Sequence, residues 1–255
     1  MANLPPPNPC PNDAYVRQRL FELLSGRMHE KEELLGTLSL YIRRMHLGRL
    51  LSLYDAYKMV VDLPGSVVEL GVFRGETLLF FAKLMELLNV NDRSCKVIGF
   101  DNFAGFPELD EKDGPVDKRV DKVVGGWSSA NLRDHLLEVI NAFDHDRFAG
   151  QKPRIELVEG DIRQTVPKYA ADNPGLRIRL LHLDCDLYEP TLVALKHLYD
   201  RVVPGGIVIL DEYAFNEFPG ESKALEEFFG ERMPVIRKFS MYSNPGGYFI
   251  KGATR

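Results

Sequence analysis

The sequence predicts an α/β protein built on a doubly wound, mostly parallel sheet. Five segments carry the near-continuous apolar runs of parallel strands buried on both faces: residues 67–73, 96–103, 155–161, 178–186 and 206–213. Segments with helical character separate them, at about residues 75–89, 163–172, 188–200 and 220–230. Because strand and helix alternate along the chain, we expect right-handed crossovers between parallel strands.

The end of the chain has a different pattern. Residues 235–240 and 248–251 look like two further strands, and Asn244-Pro245-Gly246-Gly247 lies between them. A turn of this composition predicts an antiparallel return at the edge of the sheet. The predicted sheet therefore has seven strands, of which the last is antiparallel.

The remaining segments divide the chain into further parts. Residues 1–12 contain five prolines and are predicted to form an extended arm. Residues 13–62 have the apolar spacing of helices, and the α/β pattern occupies residues 63–255. Residues 104–150 interrupt that pattern with a polar, glycine-containing stretch, which we interpret as an inserted lid over a functional site.

Composition limits the class of protein. Hydrophobic residues make up 45% of the 255 residues, which excludes a wholly disordered chain. With 32 basic and 37 acidic side chains the net charge is −5, and no basic stripe suggests a nucleic-acid partner. The N-terminus lacks the pattern of a secretory signal, and no apolar stretch predicts a membrane span. Since three unclustered cysteines fit a reducing compartment, we expect a cytoplasmic protein.

Acidic residues stand at the end of every predicted parallel strand. The five strand ends carry, in order, Glu69, Asp101, Glu159 with Asp161, Asp184 with Asp186, and Asp211 with Glu212. Ligands of open α/β sheets bind at this edge. Gly71 and Gly75 allow a tight turn after the first strand, and Asp101 suits a ribose diol. The dinucleotide pattern GxGxxG is missing, so together these residues favour an adenosine ligand without a pyrophosphate.

The acids of the fourth and fifth strands predict a metal site. Asp184, Asp211 and Glu212 should converge, and oxygen-rich clusters of this type suit Mg²⁺ or another hard divalent cation. Strand alternation would place Asp186 on the face of Asp184, as a second ligand or a general base. We interpret His182 as a core or hydrogen-bonded residue rather than a ligand, and Cys185 as a packing residue on the opposite face.

Several strings of this chain occur in the order typical of one enzyme family. GVFRGET, FDNFAGFPE, EGDIRQTVP, LDCDLYEPT and ILDEY closely resemble the macrocin O-methyltransferase family of class I S-adenosylmethionine enzymes. The resemblance covers roughly residues 65–215 and implies a Rossmann-like methyltransferase domain with S-adenosylmethionine and a divalent metal as cofactors. Members methylate sugar hydroxyls of natural products.

The resemblance also implies roles for individual residues. It assigns Glu69, Gly71 and Thr77 to the S-adenosylmethionine cleft, Asp101 to the ribose, and Asp161 and Ile162 to the surroundings of the adenine. It implies Asp184, Asp211 and Glu212 as metal ligands, although many members have two aspartates in place of Asp211-Glu212. Asp186 matches the proposed general base.

The sequence thus predicts metal-dependent O-methyl transfer to a sugar hydroxyl. The acceptor is either a glycosylated natural product or a nucleotide-linked sugar, and the family resemblance favours a homo-oligomer. Two alternatives stay open at this point. One is a metal-dependent glycosyltransferase that uses a nucleotide sugar through Asp184-Cys185-Asp186, and the other is a non-catalytic module with a methyltransferase fold.

Overall fold

The sheet is built from the apolar segments that the sequence marks as strands. The computed structural model describes residues 13–92, 94–115, 121–147, 152–239 and 244–252. Within them, six strands form one sheet in the order β3-β2-β1-β4-β5-β6. They are β1 (Ser66–Leu70), β2 (Val97–Asp101), β3 (Ile155–Glu159), β4 (Ile178–Leu183), β5 (Val202–Leu210) and β6 (Gly247–Ile250). All neighbours pair in parallel except β6, which pairs antiparallel with β5.

Helices cover both faces of this sheet, which confirms the predicted α/β class. They are α1 (Asp13–Gly26), α2 (Lys31–Gly36), α3 (Arg44–Lys58), α4 (Glu76–Leu88), α5 (Arg133–Asp146), α6 (Ile162–Asp172), α7 (Tyr188–Leu198) and α8 (Gly220–Phe229). Helices α3, α4 and α5 pack on the face that presents Val67 and Leu180. Helices α6, α7 and α8 pack on the opposite face, which presents Val68 and Leu181. Alternating residues of each strand therefore contribute to two separate hydrophobic cores, one on each face of the sheet.

The sheet has six strands among the described residues, not the predicted seven. Of residues 235–240, only Arg237 pairs, through an isolated antiparallel bridge to Tyr248, and residues 240–243 lie outside the described part. The predicted fourth strand is also too long, because β4 ends at Leu183 and Asp184–Asp186 form a loop. The predicted N-terminal arm, residues 1–12, lies outside the described residues.

The predicted insertion 104–150 contains two kinds of structure. Its second half includes α5, whose Leu136 and Phe143 are buried in the core under α4. The first half, residues 104–115 and 121–129, runs along the carboxyl edge of the sheet and is called the lid segment below. Only this half has the position that a lid requires.

Among the described residues we find no helix with the length and apolar character needed to cross a bilayer.

Candidate active site

The carboxyl ends of the five parallel strands meet at one edge of the sheet. The described residues other than glycine that adopt positive φ belong to this edge or to the lid segment: Phe73, Phe103, Trp127, Asp186 and Ala214. Such backbone conformations cost free energy and persist where surrounding contacts enforce them, which is common at functional sites. The edge is therefore the candidate active site.

One half of this edge follows β1, β2 and β3 and carries the predicted cofactor residues. Gly71 has φ +91°, and a Cβ there would lie 1.8 Å from the carbonyl oxygen of Asp184. No side chain fits at this close approach of two strand ends. Asp101 accepts the backbone N–H groups of Phe73 and Phe103, each at 2.6 Å, through its two carboxylate oxygens. Its carboxylate is thus fixed between the loops that follow β1 and β2.

The other cofactor candidates lie at helix N-termini along the same half. Thr77 is buried in the first turn of α4. Asp161 caps α6 by accepting the backbone N–H of Arg163 at 2.9 Å, and Ile162 begins that helix and is buried. Arg163 also forms an ion pair with Asp161 at 2.7 Å. These residues lie along the same half of the edge, and their contact with a cofactor stays a prediction.

The other half of the edge follows β4 and β5 and brings three carboxylates together. One oxygen from each of Asp184, Asp211 and Glu212 lies within 4.8 Å of the others. Asp211 and Glu212 are buried, and the Asp184 side chain is 22% exposed. Below, this trio is called the acid cluster. Carboxylates this close repel one another unless a cation or protons compensate them.

Arg49 supplies one compensating charge from α3. Its Nη1 donates to both carboxylate oxygens of Asp211, at 2.6 and 2.7 Å, and its Nη2 donates to Asp184 Oδ2 at 2.7 Å. Burial opposes ionisation of Asp211, but the charge of Arg49 and the hydrogen bond from His182 outweigh it. They hold the pKa of Asp211 below its ordinary range. The N-terminal helices therefore reach the acid cluster through one guanidinium.

His182 supplies a second positive charge beneath the acid cluster. It is fully buried in β4, and its ring nitrogens lie 3.1 Å from Glu69 Oε1 and 3.1 Å from Asp211 Oδ1. Burial opposes protonation, but these two hydrogen bonds raise the pKa of His182 to about 10. His182 is thus a hydrogen-bonded residue, as the sequence suggested. Glu69 is buried against it, so a direct role of Glu69 in cofactor binding stays a prediction.

The remaining acids of this half have fewer partners. Burial raises the pKa of Asp184 to about 7, and the negative charge of Asp211 adds to the rise. Burial also raises the pKa of Glu212 and of Glu221 well above the ordinary value. Among the described residues, Glu212 Oε2 and both carboxylate oxygens of Glu221 have no hydrogen-bond partner. This half of the edge holds more carboxylates than its cations and donors satisfy.

Asp186, the predicted base, lies in the loop after β4 with φ +61°. Because Asp186 lies outside the strand, the alternation of strand residues does not determine which way its side chain points. Its negative charge is among the causes that raise the pKa of Glu212. Cys185 is buried in the core and contacts Thr191 Oγ1 at 3.4 Å, which agrees with its interpretation as a packing residue.

The lid segment is attached to both halves of the edge. Asp113 accepts the backbone N–H of Tyr188 at 2.6 Å. Lys122 donates to the carbonyl groups of Asp113 and of Glu217, the latter at 2.8 Å. At its other end, Ser129 Oγ donates to the carbonyl of Phe73 at 2.8 Å. The segment thus joins the cofactor half of the edge to the half that carries the acid cluster.

Sequence reasoning missed three residues of this site: Arg49, Glu221 and Asn244. Asn244 Nδ2 donates to Asp211 Oδ2 at 3.1 Å. The sequence contains a signal for Arg49: it stands four and seven residues before the buried Leu53 and Ala56, a spacing that places all three on one face of a helix. An arginine on the buried stripe of a helix needs a partner inside the protein. Glu221 resembles an ordinary acid in the first turn of a helix, and Asn244 lies in a turn, so neither had a distinctive signal.

Comparison with known proteins assigns the chain and its fold to one family. A sequence profile of the Macrocin-O-methyltransferase (TylF) family matches residues 44–235. The chain belongs to this family. Its α/β fold is that of a class I methyltransferase, and the family resemblance read from the sequence is confirmed.

Individual relatives agree with this assignment. Mycinamicin III 3''-O-methyltransferase of Micromonospora griseorubida is 30% identical over 167 residues, which are 65% of this chain and 61% of that protein. The match therefore spans less than two thirds of that relative's length. The crystal structure of CalS11, a calicheamicin methyltransferase, has a TM-score of 0.90 and 33% identity, and the match covers 96% of this chain and 95% of that one. An apo structure of CalS11, described as a TDP-rhamnose 3'-O-methyltransferase, has a TM-score of 0.81. These relatives do not favour the glycosyltransferase alternative.

Proposed function

We propose that this protein transfers the methyl group of S-adenosylmethionine to a sugar hydroxyl in natural-product biosynthesis. We further propose that a divalent cation, held by Asp184, Asp211 and Glu212, assists the reaction. The observation that supports this most is the acid cluster, which lies on the same sheet edge as the predicted cofactor residues. Membership in the family and the sugar O-methyltransferases among its relatives support the reaction type.

The donor set of the acid cluster fits a hard cation. Three carboxylates offer oxygen ligands within 4.8 Å, and Glu212 Oε2 is buried without a hydrogen-bond partner among the described residues. Mg²⁺ binds through one or more carboxylates of this kind and keeps several waters. Arg49 bridges Asp184 and Asp211, so the cluster attracts positive charge. When bound, the cation supplies Lewis acidity for the hydroxyl of the acceptor.

The cofactor half of the edge is organised to receive an adenosine group. Asp101 is fixed by two backbone N–H groups and keeps further lone pairs for a ribose diol. Gly71 removes a side chain from the turn after β1. Asp161 and Ile162 stand at the start of α6, where an adenine ring is expected in this family. The proposal therefore places the methyl donor beside the acid cluster, across the ends of β1 and β4.

The chain must also accept a proton, because methylation of a hydroxyl releases one. We assign this role to Asp186, which neighbours the acid cluster but is not one of its three members. The lid segment, attached beside Asp186 at Tyr188 and beside the cofactor loop at Phe73, excludes water from the reacting groups. His182, held protonated by Glu69 and Asp211, keeps Asp211 ionised and in place.

The first test is calorimetric binding of S-adenosylhomocysteine, with and without Mg²⁺. Micromolar binding is expected, and a methyl-transfer assay on nucleotide sugars and glycosides then identifies the acceptor. Absence of binding in both conditions would remove the methyltransferase proposal. The role of the metal is tested separately with Asp184→Asn and with EDTA. Unchanged turnover under both treatments would show that no cation is needed.

A further inference from the structure

An open cavity of about 530 Å³ lies beside the acid cluster, between the loop after β5 and the segment before β6. Its volume is in the range of small-molecule sites, which is about 300–1,000 Å³. Tyr213, Met233 and Ile236 contribute its apolar part, and Arg237 and Lys238 contribute its charged part. Gly246 lines it as well. The cavity thus combines an apolar surface with two cationic residues.

The cavity and the acid cluster share a wall. Tyr213 directly follows Glu212 in the chain, and the backbone N–H of Gly246 donates to the carbonyl of Asp211 at 2.8 Å. A Cβ at Gly246 would lie 2.5 Å from the carbonyl oxygen of Tyr213, so the two backbone segments are in direct contact at this wall. The cavity and the acid cluster thus adjoin across this wall, and a ligand that passes over Gly246 would contact both.

The two cations of the cavity have no counter-charge among the described residues. Arg237 and Lys238 are exposed, and neither side chain forms an ion pair or a hydrogen bond with the described part of the chain. Other arginines of the protein have such partners, as Arg49 and Arg163 show. Adjacent unpaired cations in a cavity of a chain with net charge −5 indicate an anionic ligand.

We propose that this cavity binds the nucleoside diphosphate part of a nucleotide-linked sugar. The proposal rests on the proposed function and narrows its acceptor to a sugar still attached to its nucleotide. Arg237 and Lys238 bind the two phosphates, Tyr213 and the apolar side chains contact the base and ribose, and the sugar reaches the acid cluster. An uncharged glycoside would leave both cations without a partner, so the cavity favours the nucleotide sugar.

The test is calorimetric titration of thymidine diphosphate into protein saturated with S-adenosylhomocysteine. EDTA is present, so that no cation bridges the phosphates to the acid cluster. We expect micromolar binding to the wild type, and the double variant Arg237→Ala/Lys238→Ala is expected to bind at least about tenfold more weakly. Lys83→Ala, which removes an exposed lysine of α4 outside the cavity, is the matched control and should bind as the wild type does. Tyr213→Leu separates the contribution of the base from that of the phosphates.

The outcomes separate this proposal from the one on which it rests. If S-adenosylhomocysteine does not bind, the proposed function fails before the cavity is tested, and thymidine diphosphate is titrated alone. If S-adenosylhomocysteine binds but thymidine diphosphate does not, the cavity proposal is wrong while the proposed function stands. Equal affinity of the wild type and the double variant also overturns it. If inorganic pyrophosphate binds as tightly as thymidine diphosphate, the cavity is a general anion site, and the proposed contact with the nucleoside is wrong. Unchanged affinity of each variant for S-adenosylhomocysteine shows that it is folded.

Discussion

The two halves of the carboxyl edge differ in how their carboxylates are satisfied. In the cofactor half, Asp101 accepts two backbone N–H groups and Asp161 accepts both the amide and the guanidinium of Arg163. In the half after β4 and β5, Glu212 and Glu221 have carboxylate oxygens without a partner in the described part of the chain, and Asp184 and Asp211 share one arginine. Both halves carry acids at strand ends, and Glu69 Oε2 at the end of β1 also lacks a partner among the described residues, but most of the unpartnered oxygens of this edge lie in the second half.

This difference indicates two modes of ligand binding. Groups that already accept hydrogen bonds in fixed directions are preorganised, so the cofactor half can bind its ligand without new charge compensation. The acid cluster contains electrostatic repulsion that Arg49 relieves in part and that a bound cation would relieve further. Variants in the two halves should therefore respond differently to a divalent cation.

The largest effect is expected from Arg49→Gln. Removal of one partner of a buried ion pair leaves uncompensated charge and costs about 3–5 kcal/mol. In EDTA the variant should show a loss of this size in the free energy of unfolding, and saturating Mg²⁺ should recover much of it, because the cation replaces the lost charge. Denaturant unfolding in both conditions measures the difference. Arg44→Gln, on the exposed face of the same helix, is the control. An equal loss with and without Mg²⁺ would contradict the idea that Arg49 and the cation neutralise the same carboxylates.

Asp211→Asn should lower the affinity for Mg²⁺ more than any substitution outside the acid cluster. Loss of a residue that only supports a metal ligand commonly lowers affinity or activity by about 10–100-fold, and loss of a ligand should exceed this. We expect Mg²⁺ affinity and kcat/KM to fall more than about 100-fold, with S-adenosylhomocysteine affinity unchanged. Glu226→Gln, an exposed acid of α8, should leave all three quantities unchanged. Normal Mg²⁺ affinity in Asp211→Asn would remove Asp211 from the proposed ligands.

Strand-end residues of the site were predictable from the sequence, whereas residues that reach it from distant helices were not. The acids after β4 and β5 could be predicted to converge, because parallel strands end at one edge and the strands themselves had clear apolar runs. Arg49 could not be paired with them, since its position depends on how α3 packs through Leu53 and Ala56 onto the sheet. Burial of a residue can be predicted from the local sequence pattern, whereas contact between residues far apart in the chain depends on how the helices pack.

The errors in the predicted strands also have physical reasons. Residues 178–186 read as one strand because Cys185 is apolar and buried, yet the chain turns away from the sheet after Leu183. Arg237 keeps one bridge to Tyr248 instead of a ladder. Local apolar character is thus shared by strands and by the buried loops that follow them.

Asp101→Asn tests the cofactor half. The substitution keeps the shape of the side chain but removes the charge that strengthens hydrogen bonds from ribose hydroxyls. We expect about a tenfold loss in S-adenosylhomocysteine affinity, equivalent to about 1.4 kcal/mol. Mg²⁺ affinity, measured in the same calorimetric series, should not change. A fall in Mg²⁺ affinity of the same size would show that the two halves are not independent.

The pH dependence of cation binding should report on Asp184. Its pKa is raised to about 7, so the carboxyl group must lose a proton before a cation binds. Mg²⁺ affinity should therefore rise by up to about tenfold per pH unit below pH 7 and level off above it. The apo protein should show the opposite trend, since a raised folded-state pKa contributes stability that is lost as pH rises through that value. Calorimetric titrations from pH 5.5 to 8.5 measure the first trend (range chosen to span a pKa of about 7). A flat profile would contradict the assignment of Asp184 as a ligand.

The smallest effect is expected from Glu221→Gln, and its sign depends on pH. Burial raises the pKa of Glu221 well above its ordinary value, so the folded state holds this carboxyl group as a neutral acid at lower pH. Glutamine has the same size and is neutral, hence stability below about pH 4.5, where the carboxyl group of the unfolded chain is neutral as well, should change by less than about 1 kcal/mol. As pH rises, the wild type should lose stability because the buried group has to ionise, and the variant should not. The difference in Tm between the variant and the wild type should therefore become more positive from pH 6 to pH 9 in EDTA. A difference that is constant with pH would show that Glu221 is ionised and compensated in the folded protein, in which case the second half of the edge is less strained than its unpartnered oxygens indicate.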